Sequence, residues 1–170
     1  MHVRRLQSND AAAFQEVRLT ALLESPTAFG SSHDEEKDRE PSKVAEFISG
    51  SDHRVFFGAF EENSLIGIIG LGRETGMKER HKGFIRSMYV APKARGMGVG
   101  KALMQHAIDL AATWPGLQQI TLTVTAGNQA AIRLYRQLGF QEYGREPKAL
   151  LVGGEYYDEI SMVKLQMQSN

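Results

Sequence analysis

The chain has 170 residues, a length that fits one domain built on a single hydrophobic core. Lysine plus arginine equal aspartate plus glutamate at 20 each, so there is no broad positive field to draw in nucleic acid or anionic membrane. Cysteine is absent, which excludes disulfides, thiol nucleophiles and thiolate metal sites together. Met1 to Arg5 lead into no apolar stretch of a secretory signal, and no run approaches the ~20 apolar residues of a membrane span. The chain therefore reads as one cytoplasmic domain over residues 1–170, with neither nucleic acid nor membrane as a partner.

Residues 2–7 predict a short strand. Asn9 or Asp10 then caps a helix with Phe14, Val17, Ala21 and Leu22 on one face, broken by Pro26 and Gly30. From Ser31 to Pro41 the chain is polar and rich in carboxylates, including Glu35 and Glu36. A second helix starts at Pro41 or Ser42, carries Val44, Phe47 and Ile48, and stops at Gly50. Arg54–Phe60 and Leu65–Leu71 read as strands joined by a hairpin turn at Glu61–Ser64. Residues 83–91 form the next strand, ended by Pro92.

A helix follows from Gly98 to Ala112 with Val99, Leu103, Ala107 and Leu110 facing one way. Ile120–Thr125 alternates as a strand with one buried face. The last helix spans about 128–138, buries Ala131, Leu134 and Leu138, and ends at Gly139. Strands at 140–146 and 157–165 complete the order β-α-α-β-β-β-α-β-α-β-β, an α/β sandwich with a mixed sheet.

The most informative segment is Val90-Ala91-Pro92-Lys93-Ala94-Arg95-Gly96-Met97-Gly98-Val99-Gly100-Lys101. A strand stops at proline, a glycine-rich turn follows, and a helix begins. Glycines let backbone N–H groups converge without Cβ interference, and the helix N-terminus adds roughly half a positive charge. Arg95 and Lys101 flank the turn, so the expected ligand is a diphosphate. A Walker A loop would need glycine at 95 and serine or threonine at 102, where Arg95 and Ala102 stand. A Rossmann fingerprint needs G-x-G-x-x-G, and the glycines at 96, 98 and 100 are spaced differently. A tight turn holding no ligand is the remaining alternative.

Arg95-Gly96-Met97-Gly98-Val99-Gly100 resembles the R/Q-x-x-G-x-G/A signature of the GNAT superfamily of N-acetyltransferases, preceded by V-x-P as in that family. Asn128-Gln129-Ala130-Ala131-Ile132-Arg133-Leu134-Tyr135-Arg136-Gln137-Leu138-Gly139-Phe140 resembles the same family's N-x-x-A-x-x-x-Y-x-x-x-G-F segment. The matching region runs from about Phe84 to Phe140. The resemblance implies a mixed, mostly antiparallel twisted sheet of about seven strands flanked by about four helices. It implies acetyl-CoA as cosubstrate, held by Met88, Tyr89, Val90, Arg95, Gly96, Met97, Gly98, Val99, Gly100, Lys101, Asn128, Ala131 and Tyr135.

The resemblance also implies chemistry. Met88 to Val90 would end the fourth strand where it splays from the fifth, and a backbone N–H near Met88 would stabilise the carbonyl oxygen during amine attack. Tyr135 would protonate the departing CoA thiolate, although at helical spacing it also reads as a core residue. Asn128 would cap its helix and touch the cosubstrate. Some relatives carry a glutamate as base on the fourth or fifth strand. Here the fourth strand offers Arg86 and Ser87, and Thr123 stands five residues before Asn128.

Glu35 and Glu36 are then the candidate bases, with Asp158 and Glu159 as others and a solvated surface as the alternative for all of them. Ser25–Ser32 resembles the acceptor-side loop of some bacterial members, and its trailing acids would favour cationic amines. The five histidines show no metal-ligand spacing, and no metal is expected. The acceptor is read as a small primary amine, with a protein N-terminus or lysine, or a non-catalytic acyl-CoA-binding module, as alternatives. The Tyr156–Tyr157 strand is a candidate homodimer edge.

Overall fold

The computed structural model describes residues 1–166. Its strands are β1 (His2–Arg5), β2 (Arg54–Glu61), β3 (Ser64–Arg73), β4 (Lys82–Val90), β5 (Gln119–Thr125), β6 (Gln141–Val152) and β7 (Glu155–Leu165). Its α-helices are α1 (Ala11–Glu24), α2 (His33–Glu36), α3 (Pro41–Ser49), α4 (Val99–Ala112) and α5 (Gln129–Gln137). The strands form one seven-stranded sheet in the order β1-β2-β3-β4-β5-β7-β6. Every neighbouring pair is antiparallel except β4 with β5.

β2 and β3 are buried along almost their whole length. Their near-continuous apolar runs are what a strand needs when helices cover both faces. On one face α4 packs Leu103, Met104 and Ala107 against Ile66, Ile69 and Leu71, and the cluster continues to Ile132 and Phe140. On the other face Phe14 and Leu22 of α1 and Ile48 of α3 pack on Phe56 and Ile68. Burying a side chain of this size contributes about 1.5–3 kcal/mol.

Four local expectations are adjusted. The acidic stretch contains a one-turn helix, α2, because Ser32 and Glu35 form a capping box: Glu35 accepts from the Ser32 amide at 2.6 Å. Asp10 precedes α1 without capping it; its carboxylate accepts from Arg4 at 2.7 and 2.8 Å and from the Gln7 amide at 2.8 Å. In α4 the buried stripe runs through Ile108 and Ala111, leaving Leu110 half-buried. In α5 the buried side chains are Ile132 and Tyr135, whereas Ala131, Leu134 and Leu138 are only half-buried.

The last hairpin is longer than its hydrophobic pattern indicates. β6 runs on to Val152, and Gly153 and Gly154 turn it into β7 at φ 59° and 83°. Most of β6 is exposed, so its pairing leaves no alternation in the sequence.

One ion pair ties α2 to α1. Arg18 Nε and Nη2 donate to the two Glu36 oxygens at 3.0 and 2.9 Å, and both residues are buried. Burial works to raise the Glu36 pKa, yet the Arg18 guanidinium outweighs it and holds the carboxyl below its usual range. Glu36→Ala leaves a buried unpaired guanidinium, which costs about 3–5 kcal/mol. Thermal melts should then show Tm lower by roughly 6–20 °C. The double variant Arg18→Met/Glu36→Leu should regain most of that loss.

Candidate active site

The glycine turn stands between β4 and α4 as an open cradle. Gly96 and Gly98 adopt φ +77° and +79°, and nothing lies within 4 Å of where a side chain at either would begin. Gly98 precedes the first turn of α4, and no side chain caps that helix. Among the described residues, no amide from Gly96 to Lys101 donates to a protein acceptor. Six consecutive unpaired N–H groups at a helix start are a ready anion site. These residues fit a diphosphate.

Beside the turn, the sheet opens. The parallel ladder between β4 and β5 covers only Lys82 to Phe84 against Gln119 to Thr121. Beyond it the two strands diverge, leaving the edges of Ile85–Val90 and Leu122–Thr125 facing each other across a gap. A bulge accompanies the divergence: Ile68 pairs with Tyr89 and Gly70 with Arg86, so Ser87 and Met88 together oppose Ile69. Ser87 takes up the distortion at φ 55°.

Two cavities meet at this gap. The larger, ≈ 800 Å³, extends along the glycine turn. The smaller, ≈ 380 Å³, extends toward α1 and the β6–β7 hairpin. They share Ala28, Phe29, Met88, Thr125, Asn128 and Tyr135. A ligand seated on the turn and a second ligand in the smaller cavity would therefore meet beside Met88 and Tyr135.

Of the residues expected to hold a cosubstrate, all but one line the larger cavity. Met97 is the exception, with its side chain turned out and 60% exposed. Asn128 caps α5 by accepting from the Ala131 amide at 3.2 Å. The half-buried Ala131 and Leu134 face this cavity, which is why they do not sit in the core.

Arg95 also has partners within the protein. Its guanidinium donates to Glu24 at 2.6 Å and to the Val90 carbonyl at 3.0 Å, so it ties the end of α1 to the turn. That pairing is the main reason the Glu24 carboxyl lies below its usual range. The buried Tyr89 phenol, in the same corner, is pushed up to about 12, first by burial and then by Glu24.

Tyr135 is 7% exposed, packs on Phe140, and borders both cavities. Burial alone pushes its phenol up to about 12, so it is protonated at any physiological pH.

Neither Glu35 nor Glu36 lines either cavity. Glu35 is occupied in the α2 capping box, and Glu36 is neutralised by Arg18. The expectation that this acidic segment sets a negative acceptor cleft is therefore corrected. The carboxylate that does reach the smaller cavity is Glu159 on β7. It lies in register with Thr125 on β5 and Glu146 on β6. Burial raises its pKa, and the like charge of Glu146 adds to the effect. Asp158 instead accepts from Arg145 Nε and the Lys148 amide, both at 2.9 Å.

Glu24 carried no motif, whereas Phe29 lies in the Ser25–Ser32 stretch likened to an acceptor-side loop. Glu24 and Phe29 enter because the segment after α1 crosses the gap, where Thr125 Oγ1 donates to the Thr27 carbonyl. Arg18 stood in plain view: it occupies the apolar stripe of α1 four residues from Phe14 and from Leu22. A charge inside such a stripe signals a buried partner or a ligand.

The family profile described as "Acetyltransferase (GNAT) family" matches residues 18–140. The chain belongs to that family. Among curated relatives it is 36% identical over 69 residues to the L-amino acid N-acetyltransferase AaaT of Escherichia coli, covering 41% of this chain and 43% of that one. It is 30% identical over 105 residues to the spermidine N(1)-acetyltransferase of Vibrio cholerae, covering 62% and 61%. The matched stretch thus spans about half the length of these relatives. The crystal structure of a GNAT-family acetyltransferase from Streptococcus pneumoniae superposes with a TM-score of 0.84 at 25% identity, over 97% of this chain and 99% of that one.

Replacing Gly98 tests the cradle. A side chain at φ +79° costs about 1–2 kcal/mol, and the loop would relieve it by turning its amides. Calorimetry on Gly98→Ala should show coenzyme A binding weakened roughly tenfold. An unchanged Kd would mean that these amides do not hold the diphosphate.

Proposed function

We propose that this protein transfers the acetyl group of acetyl-CoA directly to the amine of a small molecule. The observation that carries the reading is the row of unpaired amides from Gly96 to Lys101, which leads into the gap between β4 and β5. In this reading those amides bind the diphosphate, and Met88 to Val90 guide the pantetheine arm along the free edge of β4. A backbone N–H near Met88 stabilises the carbonyl oxygen as charge develops on it.

Glu159 replaces Glu35 and Glu36 as the proposed base. It takes the proton that the ammonium must lose before attack. Attack forms the N–C bond and gives a tetrahedral centre. Collapse breaks the C–S bond, Tyr135 supplies the proton to the leaving sulfur, and the nitrogen's second proton leaves through solvent to restore the tyrosine. With no cysteine in the chain, direct transfer needs no thiol intermediate. The smaller cavity, ≈ 380 Å³, has the size of a small-molecule site, roughly 300–1,000 Å³. It favours such an acceptor over a protein N-terminus or lysine. The small-molecule acceptors named for AaaT and the Vibrio enzyme are in keeping with this reading.

Release of CoA thiol with a panel of small amines tests the activity directly. Tyr135→Phe should lower kcat by roughly 10²–10⁴ while leaving acetyl-CoA binding intact. Because the Glu159 pKa is raised, the acid limb of the rate should lie above the ordinary glutamate range, and Glu159→Gln should flatten it. Tyr135 should add no alkaline limb below about 12. Full turnover by the phenylalanine variant across that range would remove Tyr135 from the mechanism. Tight acetyl-CoA binding with no amine turned over would instead identify a binding module.

A further inference from the structure

The smaller cavity has a charge pattern that acetyl transfer alone does not require. Arg18 is 8% exposed and forms part of its wall. Glu36 occupies Nε and Nη2 of that guanidinium, while Nη1 is buried with no acceptor. The guanidinium lies over the Phe29 ring, with Cζ 4.8 Å from the ring centroid. Buried N–H donors without a partner are uncommon in folded proteins, and a fixed planar guanidinium suits a carboxylate.

A second guanidinium borders the same cavity. Arg86 lies on β4 just before the bulge, rests on the Phe84 ring at 4.6 Å, and has no carboxylate partner among the described residues. Glu159 is the one carboxylate among the described lining residues. The cavity therefore offers one unpaired guanidinium, Arg86, one spare N–H group on the Glu36-paired Arg18, and one carboxylate.

We infer that the acceptor carries a carboxylate as well as its amine, and that Arg18 and Arg86 receive the carboxylate while Glu159 faces the ammonium. The inference rests on the acetyl-transfer reading for the role of the amine, but the carboxylate site stands on its own geometry. A zwitterion of the amino-acid kind satisfies the Arg86 charge, the spare Arg18 N–H and Glu159 together. A simple polyamine would place a cation beside two guanidinium groups.

Matched pairs separate these cases: L-leucine with isoamylamine, L-phenylalanine with phenethylamine, and L-methionine with L-methioninamide. Calorimetry on the coenzyme A-loaded protein reads acceptor binding without transfer, and CoA-thiol release reads turnover. At least one acid should bind and react with an advantage of roughly tenfold or more over its partner. Arg86→Gln is exposed and leaves the core untouched. Arg18→Lys keeps a charge opposite Glu36 but removes the planar donor.

Loss of the acid's advantage in either variant, through KM with kcat preserved, supports the site. Equal values for acid and partner, an advantage untouched by both substitutions, or no heat from any acid would overturn it. Selective binding of acids without acetylated product would instead count against transfer and leave the carboxylate site standing.

Discussion

The parting of β4 from β5 is the constraint on which the rest of the site depends. A parallel pair that continued to Val90 would satisfy its own backbone groups and leave no room between the strands. Here the ladder stops after Phe84 and Thr121, and the free edges become the walls of a cleft. The bulge at Ser87 and Met88 keeps β4 bound to β3 on its other side. The opening is thus confined to one seam while the sheet remains continuous. Both cavities, the glycine turn and the N-terminus of α5 are all arranged around that seam.

Ion pairs decide the polarity of the two cavities. Glu24 and Arg95 close the corner between α1 and the turn, leaving the unpaired amides and Lys101 as positive elements of the larger cavity. Arg18 and Glu36 do something different, because one guanidinium nitrogen is left over after the pair has formed. A carboxylate-rich stretch of sequence therefore ends up beside a pocket to which it adds no unpaired negative charge.

Much of the cosubstrate side was legible from residue order alone. The turn at 96–100 and the segment from Asn128 to Phe140 work through local geometry: positive-φ glycines, a helix N-terminus, a cap, and a tyrosine one turn along. Such features are set by neighbours in the chain, so spacing reveals them. The acceptor side is assembled from α1, β4, β5 and β7, which lie far apart in sequence. Glu159 reaches its place through strand register with Thr125, and no local pattern encodes that pairing.

The sequence by itself determined the α/β element order, the glycine turn ahead of a helix and the placement of Tyr135 on its helix, because these follow from backbone propensity and periodicity over a few residues. Only the tertiary structure decided which charges are free. Arg95 is paired with Glu24, Glu36 is cancelled by Arg18, and Glu159 is desolvated beside Glu146. The physical reason is that a side chain's charge acts on a ligand only after its partners and its solvent exposure are set, and both are properties of the packed chain.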